Sequence, residues 1–445
     1  MNKILIKNAQ LVNEGKVQKA DVLIVGERIE TIAPVIEAQG DMQVMDVNGK
    51  HLLPGMIDDQ VHFREPGVTY KADIFTESKA AVAGGITSFM DMPNTNPQTV
   101  TIEALEDKFK LAEGRAFANY AFYLGATNDN LEQIKRLEKN QTCGVKVFMG
   151  ASTGNMLVDD VQTLEGIFEH APGLVMTHCE DTPMILKNEQ AYRDKYGEDV
   201  PMSCHPEIRS AEACYKSSSQ AIALAKKHGT RLHVLHLTTE IELDQFDKGD
   251  LANKQITGEA CVHHVFFDES SYADKGSLIK CNPAIKKATD RAEIRKAIQD
   301  GRIDVIATDH APHTLEEKDN TYFKAPAGLP LVQHALQMVL EMAYEDIFDL
   351  PLVVEKTAHA PARLFAIPQR GYIREGYYAD LVVVDLSATQ QVKREDVLYK
   401  CGWSPMEGIE LHSRIEATFV NGQLLYQNGK FVSDQPAGMR LTFER

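Results

Sequence analysis

The chain has 445 residues, 43% of them hydrophobic and 25% charged, a globular balance that excludes disordered and collagenous chains and supplies ample material for a large core. Lys plus Arg number 47 against 64 Asp plus Glu, a net charge of −17; such a surface repels phosphate backbones and anionic membranes, so neither nucleic acid nor a membrane is an expected partner. The 7 cysteines are scattered without a CxxC pair, which argues against a disulfide framework and a thiolate zinc site.

From the start of the chain, Ile4–Ile6, Val22–Val25 and Ile29–Ile32 are short strands separated by Asn, Gly and charged residues. The leading stretch carries no small-residue cleavage site and no later run approaches a membrane span, so a cytoplasmic protein is expected. Residues 54–366 then alternate short apolar runs with helical periods, the pattern of βα units on a parallel sheet. Eight runs are strand candidates: Met56–Val61, Ile86–Met90, Tyr120–Leu124, Gly144–Phe148, Leu174–Thr177, Leu232–Leu235, Gln255–Glu259 and Ile303–Ala307. A helix over Ala211–His228, closed by Gly229 and basic in its last turn, separates the fifth run from the sixth. Eight alternations predict a (β/α)8 barrel of the TIM type, whose active sites form at the C-terminal ends of the strands.

The remainder returns to β structure, with ADLVVVDL at 379–386 and a run over 415–432 in which Asn421-Gly422 and Asn428-Gly429 signal hairpins. Neither chain end holds enough strands for a stable sheet of its own. Residues 1–53 and 367–445 are therefore expected to pair into one composite β-sandwich domain flanking the barrel.

Polar groups gather just past the runs: His62 after the first, Lys146 within the fourth, His178 after the fifth, His236 after the sixth and Asp309 after the eighth. One Asp and three His are borderline ligands suited to zinc. A lysine ammonium repels a cation, but carbamylation by carbon dioxide turns it into a carboxylate able to bridge two metals. A single His at a strand end is usually a hydrogen-bonded structural residue; five candidate groups at one end of five strands point to a metal site. His233 is expected to face away from His236, as packing or support.

These segments, QVHFREPG at 60–67, MPNTNP at 92–97, VKVFMG at 145–150, THCED at 177–181, HVLHLTT at 233–239, CNPAIK at 281–286 and ATDHAPHT at 307–314, resemble the dihydroorotases of the amidohydrolase superfamily, the longer bacterial type related to hydantoinases and allantoinases. The resemblance spans nearly the whole chain. It implies that His62, carboxylated Lys146, His178, His236 and Asp309 hold one or two Zn2+ ions and that Arg64, Asn94, Asn282 and His313 contact the substrate. It further implies reversible cyclisation of N-carbamoyl-L-aspartate to L-dihydroorotate in pyrimidine biosynthesis, with a metal-activated water and Asp309 as general acid and base. The partner is then a small molecule, and a homodimer is compatible with the reading. Two alternatives stay open: another cyclic amidohydrolase (hydantoinase, dihydropyrimidinase or allantoinase), and a non-catalytic scaffold for a carbamoyltransferase.

One position departs from the pattern, because Gln60 stands where the family usually has the first His of His-x-His, and a carboxamide binds zinc weakly. Arg64 offers a guanidinium fork for a substrate carboxylate. Two residues past His62 on a strand, it would point to the same side as that ligand. Asn94 and Asn282 also suit turns. Thr314–Leu329 is expected to be a lid over the site or a plain surface loop.

Overall fold

Parallel strands form where the apolar runs lie. A computed structural model describes residues 2–150 and 156–445. Its barrel strands are β1 Met56–Val61, β2 Ile86–Asp91, β3 in two pieces (Asn119–Phe122 and Leu124–Gly125), β4 Val145–Phe148, β5 Val175–His178, β6 Leu232–Val234, β7 Ile256–Cys261 and β8 Val305–Ala307. Each pairs in parallel with its successor. The ring closes where Val61 bridges His310 and the His62 N–H donates to the His310 carbonyl at 2.7 Å. This is a (β/α)8 barrel.

Helices outside and side chains inside bury both faces of these strands, which is why the sequence shows continuous apolar runs rather than alternation. Ile57, Met90, Tyr123, Met176, Val305 and Phe365 belong to one apolar cluster. Side chains from that many strands around a ring meet only inside it, so the floor of the barrel is packed solid.

The helix Ala211–His228 forms as its caps dictate. Ser210 accepts from the Ala213 N–H at the N-terminus, and Gly229, at φ +72°, takes the left-handed conformation that ends the helix. Its buried stripe, Ala213, Ser217, Ala221 and Ala225 among others, is made of small residues that allow close packing on the barrel.

Both chain ends join one nine-stranded sheet. The seam is the antiparallel pairing of His51–Pro54 with Leu381–Asp385, and Ile4, Ile6, Val22, Leu381, Val383 and Phe419 share its apolar core; this is the composite β-sandwich. Asn421 (φ +50°) and Gly422 (φ +73°) make one tight hairpin turn, and Asn428 and Gly429 make another. A Cβ on Gly422 would lie 2.1 Å from the Gly26 carbonyl oxygen, so only glycine fits there. No helix among the described residues is long and apolar enough to cross a membrane.

Candidate active site

At the C-terminal mouth of the barrel one pocket is lined by Gln60, His62, Arg64, Asn94, Lys146, Phe148, His178, His236, Asn282 and Asp309, with Ala311, Ala327 and Gly328 as its far wall. All nine residues singled out in the sequence lie there except His313. Three of the lining residues are strained: Arg64 (φ +63°), His236 (φ +40°) and Asp309 (φ +48°) are non-glycine residues in the left-handed region. Such conformations persist where the surrounding fold over-determines them, and they gather at functional sites.

Two of the three histidines are turned by a partner. Asn94 Oδ1 lies 2.8 Å from His62 Nδ1; as an acceptor it places the ring proton there and leaves Nε2, 3.1 Å from Asp309 Oδ1, facing the pocket. Glu180, which the sequence reading passed over inside THCED, accepts from His178 Nε2 at 3.0 Å and is also held by Arg209 at 2.5 Å. That leaves His178 Nδ1 as a lone pair, 2.9 Å from His236 Nε2. Two imidazole nitrogens that close need a proton or a cation to serve them both. Carboxylate or carbonyl partners behind ligating histidines are the usual orienting device of metal centres.

Burial and neighbouring charges set the protonation of these groups. Burial lowers the His178 and His236 imidazoles, His236 well below its ordinary value, so both are neutral. For Asp309 burial would act the other way, but its surroundings, the adjacent His62 foremost, more than offset it and keep the carboxyl low. Burial brings the Lys146 ammonium down to about 8. Its Nζ has no hydrogen-bond or ion-pair partner among the described residues and stands 4.6 Å over the Phe148 ring. Converging nitrogens, an adjacent carboxylate and an unpartnered buried lysine fit a metal ion.

Gln60 is inside the pocket but not poised as a ligand: its Nε2 donates to Asp309 Oδ1 at 3.2 Å, and its Oε1 faces the Cys261 thiol at 3.7 Å.

Arg64 reaches the pocket by a different route from the one expected. β1 ends at Val61, so strand alternation does not govern Arg64; the left-handed turn aims it inward. Its Nε donates to the Pro312 carbonyl at 3.1 Å and one terminal nitrogen lies 3.1 Å from His313 Nε2. His313 Nδ1 accepts from Lys71 at 2.9 Å, which puts the ring proton on Nε2, directed to the Ala327 carbonyl at 3.0 Å. His313 therefore offers Arg64 no lone pair. Neighbouring Glu65 is taken by Arg115 at 2.8 Å, and Arg64 makes no ion pair with any described residue. It is a buried cation with unfilled donors, while His313 backs it from outside the lining.

Asn282 lines the pocket with its Oδ1 buried and without a partner among the described residues. The segment expected as a lid or a plain surface loop contributes Ala327 and Gly328 to the pocket wall. Thr314 and Glu317 form a capping box, and the fully buried Lys318 donates to the carbonyls of Lys280 (3.1 Å), Pro326 (2.9 Å) and Gly328 (3.0 Å).

Residues 51–425 match the family described as "Amidohydrolase family". The chain belongs to the amidohydrolase family. It is similar to a dihydroorotase of Methanosarcina acetivorans, 31% identical over 92% of this chain and 89% of that one. A dihydroorotase of Staphylococcus aureus is 30% identical over 96% of this chain and all of its own. Among solved structures, the L-hydantoinase (dihydropyrimidinase) of Arthrobacter aurescens superposes with a TM-score of 0.94 at 24% identity over 99% of this chain and 100% of that one. A dihydropyrimidinase of Brevibacillus agri gives 0.90 at 26% over the full length of both. This amidohydrolase is a hydrolytic enzyme built on a TIM barrel.

Proposed function

We propose that the enzyme is a dihydroorotase, closing N-carbamoyl-L-aspartate to L-dihydroorotate and opening it again in pyrimidine biosynthesis. Arg64 carries the reading. Both compounds bear a carboxylate that takes no part in the reaction, and a buried guanidinium with no ion pair among the described residues suits such a group. Hydantoin and dihydrouracil have no such carboxylate. The named dihydroorotase relatives support the same choice. The hydantoinase and dihydropyrimidinase structures favour a second reading, hydrolysis of neutral cyclic amides in the same pocket, and Arg64 separates the two.

His62, His178, His236, Asp309 and carboxylated Lys146 would hold one or two Zn2+ ions. When bound, the metal polarises the amide carbonyl and makes water acidic enough to ionise near neutral pH. The neutral fraction of the unpartnered Lys146 amine is the form that reacts with carbon dioxide. Arg64 grips the spectator carboxylate and holds the ring against the histidines, with Asn282 contributing its unpartnered amide. Asp309, ionised and within 3.1 Å of His62 Nε2, accepts the proton of the attacking water and delivers it to the ring nitrogen as the carbon–nitrogen bond breaks. In ring closure it returns that proton to the departing hydroxyl. A small soluble substrate, a cytoplasmic location and a homodimeric assembly complete the proposal.

Assaying carbamoyl-aspartate cyclisation on protein of known metal content tests it. Turnover that tracks metal supports the reading; metal-replete protein that leaves carbamoyl-aspartate untouched but opens dihydrouracil supports the second.

A further inference from the structure

One layer below the pocket, inside the barrel, lie three ionisable side chains that the catalytic reading does not use: Asp59 on β1, His233 on β6 and Glu259 on β7, all 0% exposed. His233 Nε2 is 3.5 Å from Asp59 Oδ2 and 3.8 Å from Glu259 Oε2, and one ligand atom from each residue lies within 4.8 Å of the other two. Both oxygens of Asp59, Glu259 Oε2 and His233 Nε2 are buried without a hydrogen-bond partner among the described residues. From these orphaned donors we infer that Asp59, His233 and Glu259 bind a divalent transition-metal ion, at a site separate from the pocket.

The tautomer of His233 points the same way. Thr257 Oγ1 donates to the Leu232 carbonyl at 3.2 Å and so accepts from His233 Nδ1 at 2.7 Å. With its proton on Nδ1, the ring turns the Nε2 lone pair toward two carboxylates. A lone pair facing two anions in a dry interior is repulsive until a cation stands between them. The hydroxyl behind the ring is the orienting contact that ligating histidines characteristically have.

A doubly protonated His233 would be the other way to neutralise the carboxylates. Burial would lower the metal-free ring, but the two carboxylates outweigh it and push His233 up to about 9; even so, charge-assisted hydrogen bonds close to about 2.7–2.9 Å, and separations of 3.5 and 3.8 Å leave both carboxylates short of one. Two ligands on one ion stand further apart: metal bonds of about 2.1 Å in a tetrahedral arrangement put donor atoms about 3.4 Å from each other. One nitrogen and two carboxylate oxygens suit Zn2+ or Mn2+.

The surroundings restrict the role. Glu259 spends its other oxygen on the His236 backbone N–H at 3.0 Å and the Cys261 thiol at 3.4 Å, so it presents a single atom to the ion. The register shift between Asp58 and Val61 in the β1–β2 pairing accompanies the placing of Asp59 in the interior just before the pocket residues Gln60 and His62. An ion here fastens β1, β6 and β7 across the barrel directly beneath the pocket. It contacts no substrate, and its occupancy does not depend on the reaction proposed above.

The test is an anomalous difference map of the unsubstituted protein crystallised with Zn2+ and, separately, with Mn2+. The inference expects a peak within about 2.5 Å of Asp59, His233 Nε2 and Glu259 Oε2, distinct from any in the pocket. In solution, the triple variant Lys146→Ala, His178→Ala, His236→Ala is expected to retain about one metal per chain, and adding Glu259→Gln to remove it. Should the variants fail to fold, the map decides alone. Pocket peaks with no density at the deep cluster for either metal overturn this inference and leave the proposed function standing. A deep peak with an empty pocket supports it and counts against the function instead.

Discussion

Gln60 donates its side-chain amide to Asp309 Oδ1 across 3.2 Å, so the family's missing imidazole is replaced by a group that already engages the proposed proton carrier. Gln60→His exchanges that donor for a nitrogen lone pair. The variant is expected to hold its second metal more tightly, surviving chelator concentrations that strip the parent, with some loss of control over Asp309. Unchanged stoichiometry and chelator resistance would mean that an imidazole at position 60 does not reach the metal.

Lys146 Nζ has no hydrogen-bond or ion-pair partner among the described residues, so the proposed metal is what its removal would affect. Lys146→Ala is expected to lose bound metal and activity together, with partial recovery when a small carboxylic acid is supplied. Labelling with 13C carbon dioxide should give a carbamate carbon signal in the parent alone. Full metal content in the alanine variant would rule out a bridging role.

Asp309→Asn keeps the shape of the side chain and removes its basicity. A fall of about 10²- to 10⁴-fold in kcat is expected, with loss of one limb of the pH profile. A variant within about threefold of the parent would contradict the assignment.

Glu180 links the site to acid stability. Burial would raise its carboxyl, but Arg209 and His178 outweigh that and hold it at about 2, against 4.5 for an unperturbed glutamate. A carboxyl lowered in the folded state stabilises the fold above its unfolded value and loses that contribution as pH falls toward the folded one. In metal-free protein, the gap in unfolding free energy between the parent and Glu180→Gln should be full at neutral pH and shrink from about 4.5 down to about 2. A gap that does not vary with pH would refute this linkage.

Much of the fold was legible because the barrel strands are buried on both faces. The first expected run coincides with β1 at both ends, and the helix Ala211–His228 was readable from Gly229 and its basic last turn. The pocket was legible because strand ends converge in this fold whatever the loops do. What failed depended on backbone irregularity or distant pairing. Arg64 was assigned by alternation although it follows the end of β1 at φ +63°. Thr314–Leu329 has the polarity of a free loop, and nothing local shows that Lys318 is buried on three carbonyls. His313 sits in a strong motif, yet Lys71, 242 positions away, fixes its tautomer. The Asp59–His233–Glu259 cluster was missed for the same reason, since its members come from three strands, and the Arg209 that holds Glu180 lies 29 positions on.

The central claim is that the pocket selects a ring carrying a carboxylate, and four values of kcat/KM test it most directly: dihydroorotate and dihydrouracil, each with the parent and with Arg64→Ala. Loss of a buried charge-assisted grip is worth roughly 2 to 4 kcal/mol, about 30- to 1,000-fold. The account predicts that the parent prefers dihydroorotate, that Arg64→Ala loses this factor for dihydroorotate, and that dihydrouracil barely changes. A parent that prefers dihydrouracil, or an Arg64→Ala variant that depresses both substrates equally, would contradict it.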